Sequence, residues 1–461
     1  MPTRSQNSRI VTEIFNILAK LGRPLTRPEQ KFLNQLVFGI LCSQSCLLSE
    51  ISRRVSQDES PKAVFKRLGR NLGKYDLRLA YERAQWEMLK KVDETFLFIF
   101  DPSEVVKPFA KKMEALQFVR DASEKPQIFT DPKTGKVKQK PVLKPGYPLR
   151  VAIALSPKGD VLPLELSLYS SASESFLSQN DESPKALETL LHKTYFQPTL
   201  ILDREFDVFS IIRHLCELNQ KFVIRLRSSR KYYLPTSKSR RTYSREEISQ
   251  NHAYLETKSV ITYAKNGKSE SKLFSFKATH VALLSEVKRQ EIFRKPGNTS
   301  ALTLVEMKIK KESGTPTLYL LTNKSPETEE ELEAIGRAYL ARWNVEEYIR
   351  FLKQHFELES FMVRDLGRMK NLVQAVYIAT VILHLLTDQE SLKGVRNHHH
   401  LIRNALEVAP EKVTRDFFLY AYGRGLSNIV QANKTVLKSL NGGLKNSIYK
   451  NPNQMRFRIP D

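Results

Sequence analysis

Cysteine is scarce in this chain of 461 residues: Cys42, Cys46 and Cys216 are the only three. An odd, sparse set argues against a disulfide framework and suggests a reducing cytosol, and Cys42-x3-Cys46 has no second pair to complete a zinc site. Long apolar runs are absent as well. The longest, Ala375 to Leu386, contains His384 and is about a dozen residues, too short for a membrane span and read as a buried helix. Met1 is followed by polar residues, so no signal peptide is expected, and no internal repeat is evident. Acidic residues are in short supply, 50 Asp and Glu against 74 Lys and Arg, for a formal net charge of +24 and a pI near 9.7. That balance is far from typical of an enzyme for small molecules. It implies a polyanionic partner, of which nucleic acid is the commonest.

The excess is spread along the chain. Residues 1–92 carry 17 basic and 8 acidic groups, 107–150 carry 11 and 4, and 228–316 carry 18 and 8, for net charges of +9, +7 and +10. A long footprint suits this better than one small patch. Within 5–92, apolar residues recur at helical spacing with breaks near Gly22–Pro24, Ser43–Ser45 and Ser60–Pro61, which predicts four or five short helices. One buries Leu47, Leu48, Ile51 and Val55 and turns Arg53 and Arg54 outward. The next opens at Pro61 after Ser60 and carries Lys62, Lys66, Arg67 and Arg70. These basic ridges suit either a helix-turn-helix-like DNA reader or a packing module with a solvated face.

From Thr95 the texture changes to strands. Thr95–Phe100 is a continuous run of β-formers and is expected to end at Asp101. Arg150–Leu155 and Val161–Leu168 follow as a hairpin, then a helix over about 182–194, the strand Thr199–Leu202 ending at Asp203, a helix from Phe206 to Leu218 and the strand Phe222–Leu226. This order predicts a mixed α/β sheet with helices on its faces. Residues 228–316 read as a β-rich insertion, and Thr317–Thr322 as a return strand. A helix starting at Ser325-Pro326 follows, then further helices to about 440 and a polar basic tail from Asn441–Gly443 to Asp461.

The stretch Tyr339-Leu-Ala-Arg342-Trp-Asn-Val-Glu346-Glu-Tyr-Ile-Arg-Phe-Leu-Lys353 has no Pro or Gly and reads as the middle of one long helix. At about 100° per residue, Tyr339, Arg342, Glu346 and Lys353 share one narrow stripe. A phenol, a guanidinium, a carboxylate and an ammonium on one face suit contact with a metal ion and a phosphate chain together. Two strands ending in Asp101 and Asp203 add two more carboxylates. With no His/Cys cluster, such a set favours Mg²⁺, with Mn²⁺ able to substitute. Asp203 also suits a helix cap, and Glu205 or Asp207 can be taken for the acid instead. Trp343, Tyr232, Tyr233, Tyr243 and Tyr263 suit either base stacking or ordinary packing. His398–His400 reads as a polar face, since no second cluster is near in sequence.

The spacing Tyr-x2-Arg-x3-Glu-x6-Lys resembles the signature of insertion-sequence transposases of the DDE superfamily, the branch named for its Tyr-Arg-Glu-Lys helix. Asp203-Arg204-Glu205 resembles the context of that branch's second aspartate, and Asp101 its first. The branch more often has Thr two places after the first aspartate, where this chain has Ser103. The resemblance covers about 95 to 390. It implies a ribonuclease H-like mixed sheet core with a β-rich insertion, preceded by a helical N-terminal domain and followed by a helical C-terminal region. In those terms the chain divides into 1–92 (helical, DNA-binding), 93–227 and 317–390 (the core), 228–316 (the insertion) and 391–461 (the C-terminal region and tail). It implies Asp101, Asp203 and Glu346 as catalytic metal ligands, with Tyr339, Arg342, Lys353, Arg204, Arg53, Arg54, Lys66, Arg67 and Arg70 on DNA. The expected activity is cutting at element ends and joining the 3′ ends to target DNA. The expected setting is a homodimer on DNA in a prokaryotic cytoplasm, nucleoid-associated and without membrane. Alternatives are a structure-specific or repair nuclease of the same core, or an inactive DNA-binding derivative.

Overall fold

The computed structural model describes residues 4–387 and 418–432, except 57–58, 131, 133–134, 136, 175, 177, 228–229, 236–240, 266–267, 285–290, 293–301 and 310–315. His398–His400 and the tail from Asn441 lie outside the described residues. The chain forms two compact units. One joins Met1–Ala84, Lys112–Glu114 and Phe351–Asp461, and the other joins Gln85–Lys111 and Ala115–Arg350.

The first unit is helical. Its N-terminal helices are α1 (Arg4–Leu21), α2 (Arg27–Ser43), α3 (Leu48–Val55), α4 (Pro61–Lys74) and α5 (Arg78–Leu89), the last running on into the other unit. They stop and start close to the breaks in the apolar spacing. Ser60 caps α4, its hydroxyl accepting the Ala63 amide at 3.3 Å, and Pro61 sits where no amide proton is needed. Helix α11 (Leu366–Thr387) packs on α2 and α4, and α12 (Phe418–Ala432) packs on α2. The Asn371 side chain donates to the carbonyls of Leu72 and Tyr75, both at 2.8 Å. The residues Leu366–Leu386 of α11 are long and apolar enough to cross a membrane, yet 78% of their apolar window is buried in the protein. Their apolar character serves the core of this unit.

The second unit is built on one large mixed sheet. Its strands are β1 (Leu97–Val106), β2 (Gln117–Arg120), β3 (Gln127–Thr130), β4 (Val137–Lys140), β5 (Leu143–Leu155), β6 (Val161–Leu168) and β7 (Thr199–Leu202). They continue with β8 (Phe222–Arg225), β9 (Tyr232–Tyr233), β10 (Leu255–Lys265), β11 (Lys268–Leu284), β12 (Glu291–Ile292), β13 (Leu302–Ile309) and β14 (Thr317–Thr322). Helices α6 (Gln179–Leu191), α7 (Phe209–Glu217), α8 (Arg245–Asn251), α9 (Glu329–Leu340) and α10 (Trp343–His355) complete the elements, α10 crossing into the helical unit after Arg350. The order is β10-β11-β13-β14-β8-β7-β1-β5, with β6 and β2 on the outer edge of β5; β3 and β4 form a separate pair. Only β1–β7 and β7–β8 run parallel among the described pairs. The strands of the basic insertion extend the same sheet, because β13 pairs with β14 and β14 with β8.

Strand β1 does not end at Asp101 as its sequence suggests. It runs on to Val106, because β5 keeps pairing with it from Leu97↔Leu155 to Val106↔Gly146. Its parallel partner β7 stops earlier, at Phe100↔Leu202, so Pro102 sits where β1 has lost that neighbour. Phe98, Ile99, Leu200, Ile201 and Leu202 are completely buried, as a strand covered on both faces requires. Helix α9 lies against β11 at Gly336, where an added Cβ would come within 2.3 Å of the Phe276 ring. Only a glycine permits that approach, and it sets the seat of the helix that ends beside the acids.

Candidate active site

Asp101 and Asp203 meet through register. The last parallel pair of β1 and β7 is Phe100↔Leu202, and each aspartate is the next residue of its own strand or loop. Asp101 is buried within β1. Asp203 leads a short 3-10 turn, Arg204–Phe206, which its backbone carbonyl starts by accepting the Phe206 amide at 3.0 Å. Its side chain does not cap that turn, so the helix-cap alternative fails. One carboxyl oxygen of Asp203 is buried and has no hydrogen-bond partner. A buried, bare carboxylate oxygen is costly, and it is the chemistry expected where a cation is to sit.

Glu346, on α10, is joined to the same place through Arg342. The guanidinium donates through Nη1 to Asp101 Oδ2 at 2.8 Å and through Nη2 to Glu346 Oε1 at 2.5 Å. A planar fork suits two carboxylates at once. The expected single helix is broken here: α9 ends at Leu340 and α10 begins at Trp343. Between them Arg342 and Asn344 bond three residues back, to the Tyr339 and Ala341 carbonyls at 3.0 and 3.1 Å, so the backbone tightens. Tyr339 therefore belongs to one helix, and Glu346 and Lys353 to the next. Tyr339 still lies among the charges of Arg342, Asp203 and Arg225, and burial raises its phenol's pKa.

These charges perturb one another. Burial first, then the neighbouring Asp203 and Glu346, push the Asp101 carboxyl up to about 7, although Arg342 pulls against them. Burial works against the charge on Arg342, but the carboxyl of Asp101 leads the neighbours that hold it, and its pKa is raised overall. A cleft opens beside Asp101, lined in part by Pro102, Arg150, Glu165, Tyr169, Glu205 and Phe206. Glu165, which the sequence did not single out, is buried there and its carboxyl is pushed up, chiefly by that burial.

The remaining candidates separate clearly. Asp207 is fully committed, paired with Arg230 at 2.7 Å and accepting the Arg227 amide at 2.8 Å, so it does not compete with Asp203. Glu205 faces the cleft, and burial raises its pKa. Arg204 is exposed. Lys353 lies on the part of α10 that belongs to the helical unit and pairs with Glu359 at 3.1 Å. Arg53, Arg54, Lys66 and Arg70 are exposed on α3 and α4, while Arg67 is half-buried and pairs with Glu59. Tyr232 and Tyr233 are buried in strand packing, which removes them as stacking platforms for bases. Tyr243 bridges to Tyr232, the Tyr263 side chain lies outside the described set, and Trp343 is exposed instead of packed.

Three carboxylates without histidine or cysteine suit a hard divalent cation, and the bare oxygen of Asp203 fits that reading. Among the described residues, no three such side chains form a ready-made cage; Arg342 holds two of the acids instead.

Fold and site together define a mixed α/β protein that converges one aspartate within a strand, one just past a strand end, a helix-borne glutamate and an arginine. Residues 176–382 match the family model described as the transposase DDE domain, a span that includes Asp203 and Glu346 and begins after Asp101. No curated protein sequence matches the chain. Among solved structures, the cryo-EM structure of a piggyBac transposase synaptic complex with hairpin DNA is similar over 95% of this chain and 82% of that one, at 11% identity and a TM-score of 0.39.

Proposed function

We propose that this chain is a DDE transposase: a DNA endonuclease and strand transferase that acts on the ends of an insertion sequence. The observation that carries the reading is the convergence of Asp101, Asp203 and Glu346, acids far apart in sequence, on one arginine-bridged site. The match of residues 176–382 to the transposase DDE domain supports it. The order β6-β5-β1-β7-β8, with β7 and β8 parallel to β1 and β5 antiparallel, supports a ribonuclease H-like core. The strands after Ser228 are then the insertion that precedes the glutamate.

In this reading Asp101, Asp203 and Glu346 hold Mg²⁺, or Mn²⁺ in its place. Such ions, when bound, supply Lewis-acid stabilisation of the charge on the attacking and leaving oxygens. Arg342 serves two partners in turn, the acids in the metal-free protein and a DNA phosphate in the loaded complex. Tyr339 hydrogen-bonds a phosphate near the cut, and Lys353 and Arg204 act as cations on the DNA backbone. Arg53, Arg54, Lys66, Arg67 and Arg70, on the helical unit, bind DNA phosphates as well. Hydrolysis of a phosphodiester at the element end leaves a 3′-hydroxyl. That hydroxyl then attacks a target phosphodiester and displaces its 3′ oxygen, with no covalent protein–DNA link. Two ends require two copies of the site, hence a homodimer on DNA, in a prokaryotic cell at the nucleoid.

The test supplies a labelled duplex ending in the element's terminal repeat, together with a target duplex. Cleavage followed by joining of the 3′ end to the target supports the proposal. Cleavage without joining replaces it with a nuclease of the same core. Binding with no cleavage in any divalent metal makes the chain a DNA-binding derivative.

A further inference from the structure

One carboxyl oxygen of Asp203 has no hydrogen-bond partner to aim it, yet the turn that carries it is tied down from a neighbouring strand. Strands β7 and β8 are parallel neighbours, so the residues just past their ends lie side by side. From the β8 end, Arg227 donates its amide to Asp207 Oδ2 at 2.8 Å and its Nε to the Arg204 carbonyl at 2.9 Å; Nη2 reaches the Glu205 carbonyl at 3.4 Å. Arg230 donates Nε to Asp207 Oδ1 at 2.7 Å and Nη2 to the Asp207 carbonyl at 3.0 Å. The Asp207 and Arg230 side chains are 1% and 10% exposed, so the pair is desolvated and has no loose alternative in water. Three carbonyls of the turn, those of Arg204, Glu205 and Asp207, and one buried carboxylate are therefore gripped by two arginines.

We infer that Asp207, Arg227 and Arg230 form a clamp that positions Asp203, making Asp207 a positioning residue for the metal-binding acid. The inference rests on the proposed function, since it assigns Asp203 to the cation. Its physical basis is the requirement that a ligating carboxylate be held in place before the ion arrives. Asp203 is aimed by its backbone, and that backbone is fixed four residues downstream. Arg227 and Arg230 flank the start of the proposed β-rich insertion at residue 228, whose first strand β9 begins at Tyr232. The root of the insertion and the aim of Asp203 thus share one set of bonds.

The test measures Mn²⁺ affinity of the full chain without DNA, by electron paramagnetic resonance, in the parent, Asp207→Asn and Arg227→Ala. Asp207→Asn keeps the side-chain shape and removes the charge that holds Arg230. Arg227→Ala leaves the Asp207–Arg230 pair and removes the bonds to the Arg204 and Glu205 carbonyls. Loss of a supporting outer-shell partner lowers metal affinity by about 10–100-fold. That loss is expected in both variants, with duplex DNA binding unchanged. Restoring affinity in Arg227→Lys relative to Arg227→Ala would strengthen the assignment. If Asp207→Asn fails to fold, Arg227→Ala alone decides. Parent-like Mn²⁺ affinity in a folded variant overturns the clamp. A parent with no Mn²⁺ site overturns the transposase reading, and the clamp falls with it.

Discussion

The two units treat buried charge in opposite ways. Among the described residues, the buried Asp, Glu and Lys side chains are Asp101, Lys107, Asp121, Glu165, Asp207 and Glu306, and all belong to the sheet unit. The helical unit buries Asn34, Ser45, Ser52, Thr380 and Ser427, and two histidines, His355 and His384. Its core is aliphatic and aromatic wherever it is not lightly polar. Burying a charge costs free energy, so it persists where another group or a function holds it. In the sheet unit Asp101 and Glu165 line the cleft and Asp207 anchors the clamp, whereas Asp121 and Glu306 are held by Lys144 and Lys308 elsewhere; the first group is where perturbed acids suggest chemistry.

The contrast can be broken at several points. The largest effect is expected from Glu346→Gln, which removes a carboxylate from the site. Cleavage should fall by more than about 100-fold, beyond the loss of an outer-shell partner, with DNA binding retained. The same change at Glu29, a capping residue at the start of α2, should leave cleavage at the parental rate. Equal nicking by Glu346→Gln and the parent would remove that residue from the mechanism.

Next is the pH dependence of the sheet unit. The Asp101 carboxyl is raised from 3.8 to about 7, so the folded state favours the protonated form. Its contribution to stability is complete below the unfolded value and is lost as pH rises towards 7. Relative to its effect near pH 4, Asp101→Asn should therefore gain stability above pH 7 by up to about 4 kcal/mol, on top of a pH-independent cost of leaving Arg342 without that partner. Urea unfolding across that range checks it; a gain independent of pH contradicts the assignment.

The helical unit should respond with the opposite sign. Burial pushes the His355 imidazole from 6.5 down to about 4, helped by Arg424. Its ring stacks on Phe351 at 4.9 Å and stays neutral. This contribution is present above pH 6.5 and is lost as pH falls towards 4. His355→Gln should flatten that acid limb by up to about 3 kcal/mol, whatever its effect at neutral pH. Circular dichroism at 222 nm during acid titration reads the slope, and an unchanged slope rules the histidine out.

The smallest effect is expected from Ser60→Ala. Losing the cap of α4 should cost about 1 kcal/mol, seen as a lower thermal midpoint, without change in cleavage. A loss of cleavage far larger than the loss of stability would tie α4 to the chemistry.

Much of this is legible in the sequence. Strands β6, β7 and β8 are short apolar runs bounded by breakers, and α4 begins with Ser60-Pro61. The extension of β1 past Asp101 was not legible, because Pro102 argues locally against a strand and only pairing with β5 overrides it. The break between α9 and α10 was hidden for a similar reason. No Pro or Gly marks it, and the bonds at Arg342 belong to residues 241 positions away as well as four away. The clamp escaped because Arg227 and Arg230 look like ordinary members of a basic stretch.

By itself the sequence determined the kinds of group present and the local period of the backbone: a basic chain, apolar strand segments followed by aspartates, and helices carrying an arginine and a glutamate. Those are properties of near neighbours, set by side-chain chemistry and backbone preference. Tertiary structure alone decided that Asp101 and Asp203 stand side by side, that Arg342 joins Asp101 to Glu346, and that Asp207 faces two arginines. Each depends on strand register or on a bond between distant residues, and such pairings become favourable only when the intervening chain has folded around them.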